Sequence, residues 1–520
     1  MKKFLVMIII FLFTILLLAA CASKETPETS NNLTDSVGQE TQSADNSAEE
    51  ISFNEISEDI SLDISDNQPI AESTDQAVTS NTESKEADTE TSSVFIENES
   101  ESESEAESVI EVSKPAEKNP LENSSALEEL SEDPLKEPEQ VQYNPINYND
   151  MQAIWVSQFD MTDIFKTWNG MRTEEEFTLM AQKVIKNIYE SGFNTIILQI
   201  RPNGDSFYSS DYYPASKYVT GQYGKEIKYD VIEIFLKEAH KYNLSVQAWI
   251  NPMRLMTAEE IKLVDNDNPI KQMYNNGFLV EYNNRLYLDP SRADAIDLIV
   301  NGAAEALKKY EFDGLHMDDY FYPTTDKVFD EAAFKASGQS DLSVFRVNNI
   351  NKLVSSLYAA VKNINEKLIF GISPAGNLAN LIPVYSADVY EWCSKDGYID
   401  YIMPQIYFGF YHGVCPFTAT LNNWASIIKN DKIKLYAGLT LGKAVSGEQG
   451  TEDNYAVTDA GKREWIENKD VIKRSIEEIK LNSATNGFTI FCYQYLFEPV
   501  SGNSVSFITE EREAFLPLLK

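Results

Sequence analysis

Residues 143–520 read as a (β/α)8 barrel of the α/β class. Eight short, β-rich apolar runs alternate with helical patterns, which is the mark of βα units around a parallel sheet. The eight units occupy about 370 residues, the length of a barrel with insertions. A doubly wound open sheet is the rival, and the lack of a nucleotide-type Gly-rich turn after a strand favours closure.

The part before the barrel has a different character. Met1-Lys2-Lys3, an apolar run from Phe4 to Leu18 and Leu18-Ala19-Ala20-Cys21 form a signal peptide over residues 1–21. The alternative is an uncleaved membrane-spanning helix. The placement of Cys21 resembles the bacterial lipoprotein signal, which implies acylation of that cysteine and a membrane partner through an N-terminal lipid anchor. It also implies work outside the cytoplasm, on either an inner or an outer membrane. Residues 22–142 are Ser, Thr, Glu, Asp and Asn with scattered Pro, and about −28 of the formal charge of −39 falls there. Such a stretch cannot bury enough apolar surface to offset its chain entropy, so it reads as a disordered linker. No basic stripe is present to neutralise phosphates, which excludes nucleic acid as a partner. Four cysteines at Cys21, Cys393, Cys415 and Cys492 show no metal-type spacing. No cofactor or metal is expected, and the barrel is expected to be monomeric.

The strands are expected at Ala153–Ser157, Thr195–Ile200, Ser245–Ile250, Phe312–Asp318, Leu368–Ser373, Ile399–Gln405, Lys434–Thr440 and Gly487–Tyr493. The first helix runs from about Thr173 to Glu190, where Thr173 and Glu176 form a capping box. The second covers about Val231–Tyr242. A long excursion after strand three ends in Arg285–Pro290, before a helix from Arg292 to Tyr310.

In such a barrel the active site lies at the C-terminal ends of the strands. Here those ends carry Gln158 and Asp160, then Gln199, Arg201, Asn203 and Asp205, then Trp249, Asn251 and Arg254. Strand four supplies His316, Asp318, Asp319, Tyr320 and Tyr322; strand five Ser373 and Asn377; strand six Gln405 and Tyr407. Strand seven adds Thr440 and Lys443, and strand eight Tyr493, Gln494 and Tyr495, with Glu498 just after. Amides and arginines suit hydroxyl groups, and rings suit the apolar faces of sugars. Some of these residues are expected only to cap strands or fill the barrel. Period-two alternation turns Leu315 and Met317 toward the helices and Gly314, His316 and Asp318 toward the interior. Asp318 then sits at the mouth with Asp319 beside it. Two adjacent carboxyls do not both ionise cheaply there, so one is expected to keep its proton, as a general acid must. His316 either orients Asp318 or is a satisfied interior histidine.

Phe312-Asp313-Gly314-Leu315-His316-Met317-Asp318-Asp319-Tyr320-Phe321-Tyr322-Pro323 resembles the strand-four signature of the bacterial glycosyl-hydrolase-like family ten. So do Gln199–Asp205, Trp249-Ile250-Asn251-Pro252, Ser373-Pro374 and Pro404-Gln405-Ile406-Tyr407, and the likeness covers Tyr143–Lys520. It implies a glycoside hydrolase for cell-wall or related N-acetylated polysaccharide, with peptidoglycan glycan strands foremost. Strand four is also similar to the DGxDxDxE pattern of chitinase-type barrels, with His316 in place of the middle Asp and Tyr320 where the catalytic Glu would stand. Asp318 or Asp319 would then serve as acid, with a substrate acetamido group as nucleophile. A mechanism with two protein carboxylates needs a partner, and Glu498, Asp205 and Asp160 are the candidates. A separation near 5 Å would mean retention and about 6.5–9.5 Å inversion. A carbohydrate-binding surface protein without turnover, and a metal-dependent hydrolase or deacetylase, remain as other readings.

Overall fold

The computed structural model of the chain describes residues 143–318 and 321–519. The expected signal peptide and linker, with Cys21, and also Asp319 and Tyr320 lie outside the described residues.

Eight parallel strands close into a barrel: β1 (Met151–Val156), β2 (Thr195–Arg201), β3 (Ser245–Ile250), β4 (Gly314–Met317), β5 (Ile369–Ile372), β6 (Tyr401–Ile402), β7 (Lys434–Thr440) and β8 (Thr485–Phe491). Each strand pairs with its sequence neighbour, and β8 returns to pair with β1 from Met151↔Gly487 to Ile154↔Ile490. Helices follow each strand: α1 (Gln158–Phe165) and α2 (Glu174–Ser191), then α3 (Val231–His240), α4 (Ala293–Lys309), α5 (Leu342–Ile364), α6 (Leu378–Tyr385), α7 (Phe417–Ile427), α8 (Val471–Leu481) and α9 (Thr509–Phe515). The expected barrel is therefore the observed one.

Local chemistry explains the boundaries. α2 begins at Thr173, whose hydroxyl accepts from Glu176 N while Glu176 reaches back to Thr173 N, and it ends at Gly192 with φ +98°. The excursion after β3 contains a hairpin, Leu279–Tyr282 with Arg285–Leu288. Its turn residues Asn283 and Asn284 both take positive φ, which asparagine tolerates. β6 is shorter than expected because Pro404 has no N–H to continue the ladder. β4 is also shorter, since Phe312 and Asp313 precede it.

Apolar side chains separate into two layers. Leu315 and Met317 join the large layer between strands and helices, which includes Ile350, Leu353 and Val354 of α5. Ala153, Trp155, Ile197, Trp249, Tyr401, Met403 and Tyr436 fill the barrel itself. Gly371 makes room for this filling: a Cβ there would stand 2.0 Å from the Tyr401 ring. Among the described residues, no helix is long and apolar enough to cross a membrane.

Candidate active site

The interior below the mouth is a chain of aromatic hydrogen bonds. Trp155 Nε1 donates to His316 Nε2 at 3.3 Å, so the imidazole proton sits on Nδ1. Nδ1 lies 2.8 Å from the Tyr401 hydroxyl, which donates to Gln247 Oε1 at 2.6 Å. Full burial holds the His316 imidazole neutral, its pKa lowered to about 3 by desolvation. Of the two sequence readings of His316, the geometry favours a satisfied interior histidine.

One layer higher, the strand ends converge on Asp318. Its Oδ2 accepts from Trp249 Nε1 at 3.1 Å and from Asn251 Nδ2 at 2.5 Å. Asn251 Oδ1 in turn accepts from Gln199 Nε2 at 2.7 Å, and Gln199 Oε1 accepts from the backbone of Gln158 at 2.7 Å. β1, β2, β3 and β4 are thus laced together by one run of amide bonds that ends on a carboxyl group only 4% exposed. Two donors at the end of β3, Trp249 and Asn251, fix the orientation of that group, and a positioned acid or anion stabiliser requires such support.

Across the mouth, three rings cluster over Trp155. Phe491 lies 6.1 Å from Trp155, 6.3 Å from Tyr495 and 6.5 Å from Tyr407, and all but Trp155 are partly open. Tyr495 is among the strand-eight end residues read from sequence, whereas Phe491 is not. Alternation extended through strand eight points Tyr493 inward, but β8 ends at Phe491 and a 3-10 turn begins at Tyr493. Tyr493 consequently packs outward, its hydroxyl accepting from Asn187 of α2 at 3.1 Å. Gln405 remains near the mouth, bonded through Nε2 to Ser373 O.

Other expected site residues are engaged elsewhere. A register shift between Gln199 and Arg201 breaks the alternation, and Arg201 lies 4.7 Å over the Tyr213 ring with bonds to Pro252 O. Asp205 accepts from Asn203 N, while the Asn203 side chain accepts from Arg285, so both build a loop. Arg254 pairs by its backbone with Tyr287 of the hairpin. Asn377 caps α6 through Ala379 N. Tyr322 is buried, accepting from Asn349 beneath Arg346. Glu498 is exposed in a turn that rests on α2, where Lys183 bonds Val500 O and Asn187 bonds Gly502 O. Asp160 is the N3 residue of the α1 capping box: Oδ2 accepts from Ser157 and Oδ1 from Gln494 N past β8. Burial pushes its carboxyl up to about 6. Among the described residues, no group of three or more His, Cys, Asp or Glu side chains is arranged to hold a metal ion.

A closed barrel of eight βα units with a supported carboxyl and open rings at the C-terminal ends of its strands has the architecture of a carbohydrate-processing barrel. Residues 150–457 match the family model described as Glycosyl hydrolase-like 10, and the chain belongs to that family. It is 31% identical over 312 residues to Glycosyl hydrolase YngK of Bacillus subtilis, covering 56% of this chain and 60% of that protein. The chain therefore spans less than two thirds of this relative. Glycosyl hydrolase DigH of Escherichia coli K12 is 27% identical over 354 residues, 62% of this chain and 77% of that one. Among solved structures, the PgaB (BpsB) glycoside hydrolase domain from Bordetella bronchiseptica superposes with a TM-score of 0.45 at 12% identity, covering 70% of this chain and 98% of that one.

Proposed function

We propose that this protein is a glycoside hydrolase of N-acetylated cell-wall polysaccharide, with peptide-free peptidoglycan glycan strands its foremost substrate. We also propose that it acts outside the cytoplasm, held by a lipid on Cys21. The observation that carries the catalytic reading is Asp318, a carboxyl 4% exposed at the barrel mouth and fixed by Trp249 and Asn251. Family membership supports the reaction class.

In this reading the sugar stacks on the rings of Tyr407, Phe491 and Tyr495, and the glycosidic oxygen meets the Asp318 carboxyl. Asp318 gives its proton to that oxygen as the C1–O bond breaks. Asp319, its chain neighbour, is the alternative carrier. The substrate acetamido oxygen closes on C1, and water then opens the cyclic intermediate and returns the proton. A substrate-borne nucleophile suits this mouth because Glu498 and Asp205 serve turns and Asp160 caps α1.

The test incubates the whole chain with peptide-free glycan strands and with chitin oligomers, with and without chelator, and weighs the products. New reducing ends are expected. Asp318→Asn is expected to lower kcat by about 10²–10⁴-fold with little change in melting temperature, because the asparagine oxygen can still accept from Trp249 and Asn251. Full activity in that variant would overturn the assignment. Binding without products would leave a sugar-binding protein, and chelator-sensitive release of acetate would leave a deacetylase.

A further inference from the structure

Trp168 is 94% exposed, the most solvent-covered large apolar side chain of the described residues. It stands in a tight hairpin, where Lys166 pairs with Met171 and Thr167 with Gly170. Trp168 and Asn169 form the turn, and Gly170 takes φ +110° to close it. The hairpin is held firmly: Arg172 donates from its backbone to Phe165 O and from Nη2 to Asp163 O at 2.8 Å, and Tyr229 donates to Arg172 O. A large ring is thus kept in water by a braced support, although indole gains much by burial.

The surroundings give it direction. The hairpin lies between α1 and the start of α2, so it belongs to the loops above the C-terminal end of β1. It packs on the short helix Lys217–Thr220 in the loop above β2. Tyr218 of that helix is half-buried and meets half-buried Phe159 edge to face at 6.5 Å. Phe159 adjoins Gln158, whose backbone begins the amide run to Asp318. Open or partly open rings thus stand on the hairpin, on the short helix it packs against and beside the start of the amide run.

We propose that Trp168, Tyr218 and Phe159 form an outlying track that binds the sugar rings of a long glycan strand beyond the bond being cut. This rests on the glycosidase reading, and it adds where on the barrel the strand runs beyond the cleaved bond. Stacking on successive rings suits a repeating chain, because each ring needs only the apolar face of a sugar.

Two measurements test it. Whole chain carrying Asp318→Asn, which should bind without cutting, is run by affinity electrophoresis through gels containing soluble peptide-free glycan strands. Retardation is expected, and adding Trp168→Ala should weaken the apparent Kd by roughly three- to tenfold. Leu481→Ala is the control: Leu481 is 83% exposed at the end of α8, at the opposite end of the barrel, and should change nothing. In turnover, Trp168→Ala should lower the ratio of kcat/KM on long strands to that on a tetrasaccharide by a similar factor, through KM. Equal retardation with and without Trp168, or no retardation of the parent, would overturn the track. If the parent binds strands but the wild type cuts nothing, the track stands and the hydrolase reading fails.

Discussion

Titration at single residues pulls this protein in two directions. His316 is held neutral with its pKa lowered to about 3, so below about pH 6.5 the unfolded chain takes up a proton that the folded one refuses. That contribution to stability is lost as pH falls. Glu511 behaves oppositely. It is buried where it accepts from Val471 N and Ile472 N at the start of α8, and desolvation raises its pKa to about 7. Between pH 4.5 and 7 the folded chain therefore holds the proton that the unfolded chain gives up, and stability falls as pH rises. Glu511→Gln removes this second slope. The variant is expected to gain on the wild type by about 3 kcal/mol between pH 4.5 and 7.5, read from denaturant unfolding at the two values. Parallel curves would show that Glu511 ionises freely in the fold. The inward placement of Asp318 is legible in sequence because alternation along β4 is regular. Asp160 was misleading in sequence, since a polar residue just after a strand can equally cap the next helix, and its bonds to Ser157 show that it does.

At the scale of elements, the barrel depends on where side chains are missing. Gly371→Ala places a methyl group 2.0 Å from the Tyr401 ring, which is itself locked between His316 and Gln247. The ring must leave its position, so a loss of about 3 kcal/mol or more is expected in unfolding experiments. Gly314→Val is worse in kind: its Cβ meets Ile369 O at 2.4 Å, so backbone must move and β4 parts from β5. Little soluble protein is expected from it. β3 and β7 match their sequence ranges, because Ser245–Ile250 and Lys434–Thr440 are uninterrupted and bounded by turn residues. Legibility failed where period two breaks: at the register shift before Arg201, at Pro404, and at the turn after Phe491. The place of Tyr495 in the ring cluster depends on the last of these, whereas period two does put Phe491 on the inner face.

At the scale of the molecule, the segment Tyr143–Tyr148 binds the floor of the barrel. The Tyr143 hydroxyl and Ile146 N both donate to Asp313 Oδ1, Asn147 bonds Asp313 O and Lys367 O, and Asn365 bonds Tyr143 O. Asp313 also takes Val246 N, so one buried carboxylate ties the lead-in chain to β3 and β4. A chain shortened to begin at Asp150 loses all five of these bonds, and two of them are the donors to the buried Asp313 Oδ1. It should lose about 2–5 kcal/mol relative to one beginning at Gln142, measured by chemical denaturation. Equal stability would mean that water replaces the lost donors.

The same clasp sets a polarity. Residues 143–148 join at the N-terminal ends of β4 and β5, while Asp318, Phe491 and Trp168 lie at the other pole. Any force transmitted along the polypeptide from upstream is therefore applied to the base, and the candidate site faces away from the point where the upstream chain enters. Were Cys21 lipidated as proposed, the tethered chain would enter the barrel at the pole opposite Asp318.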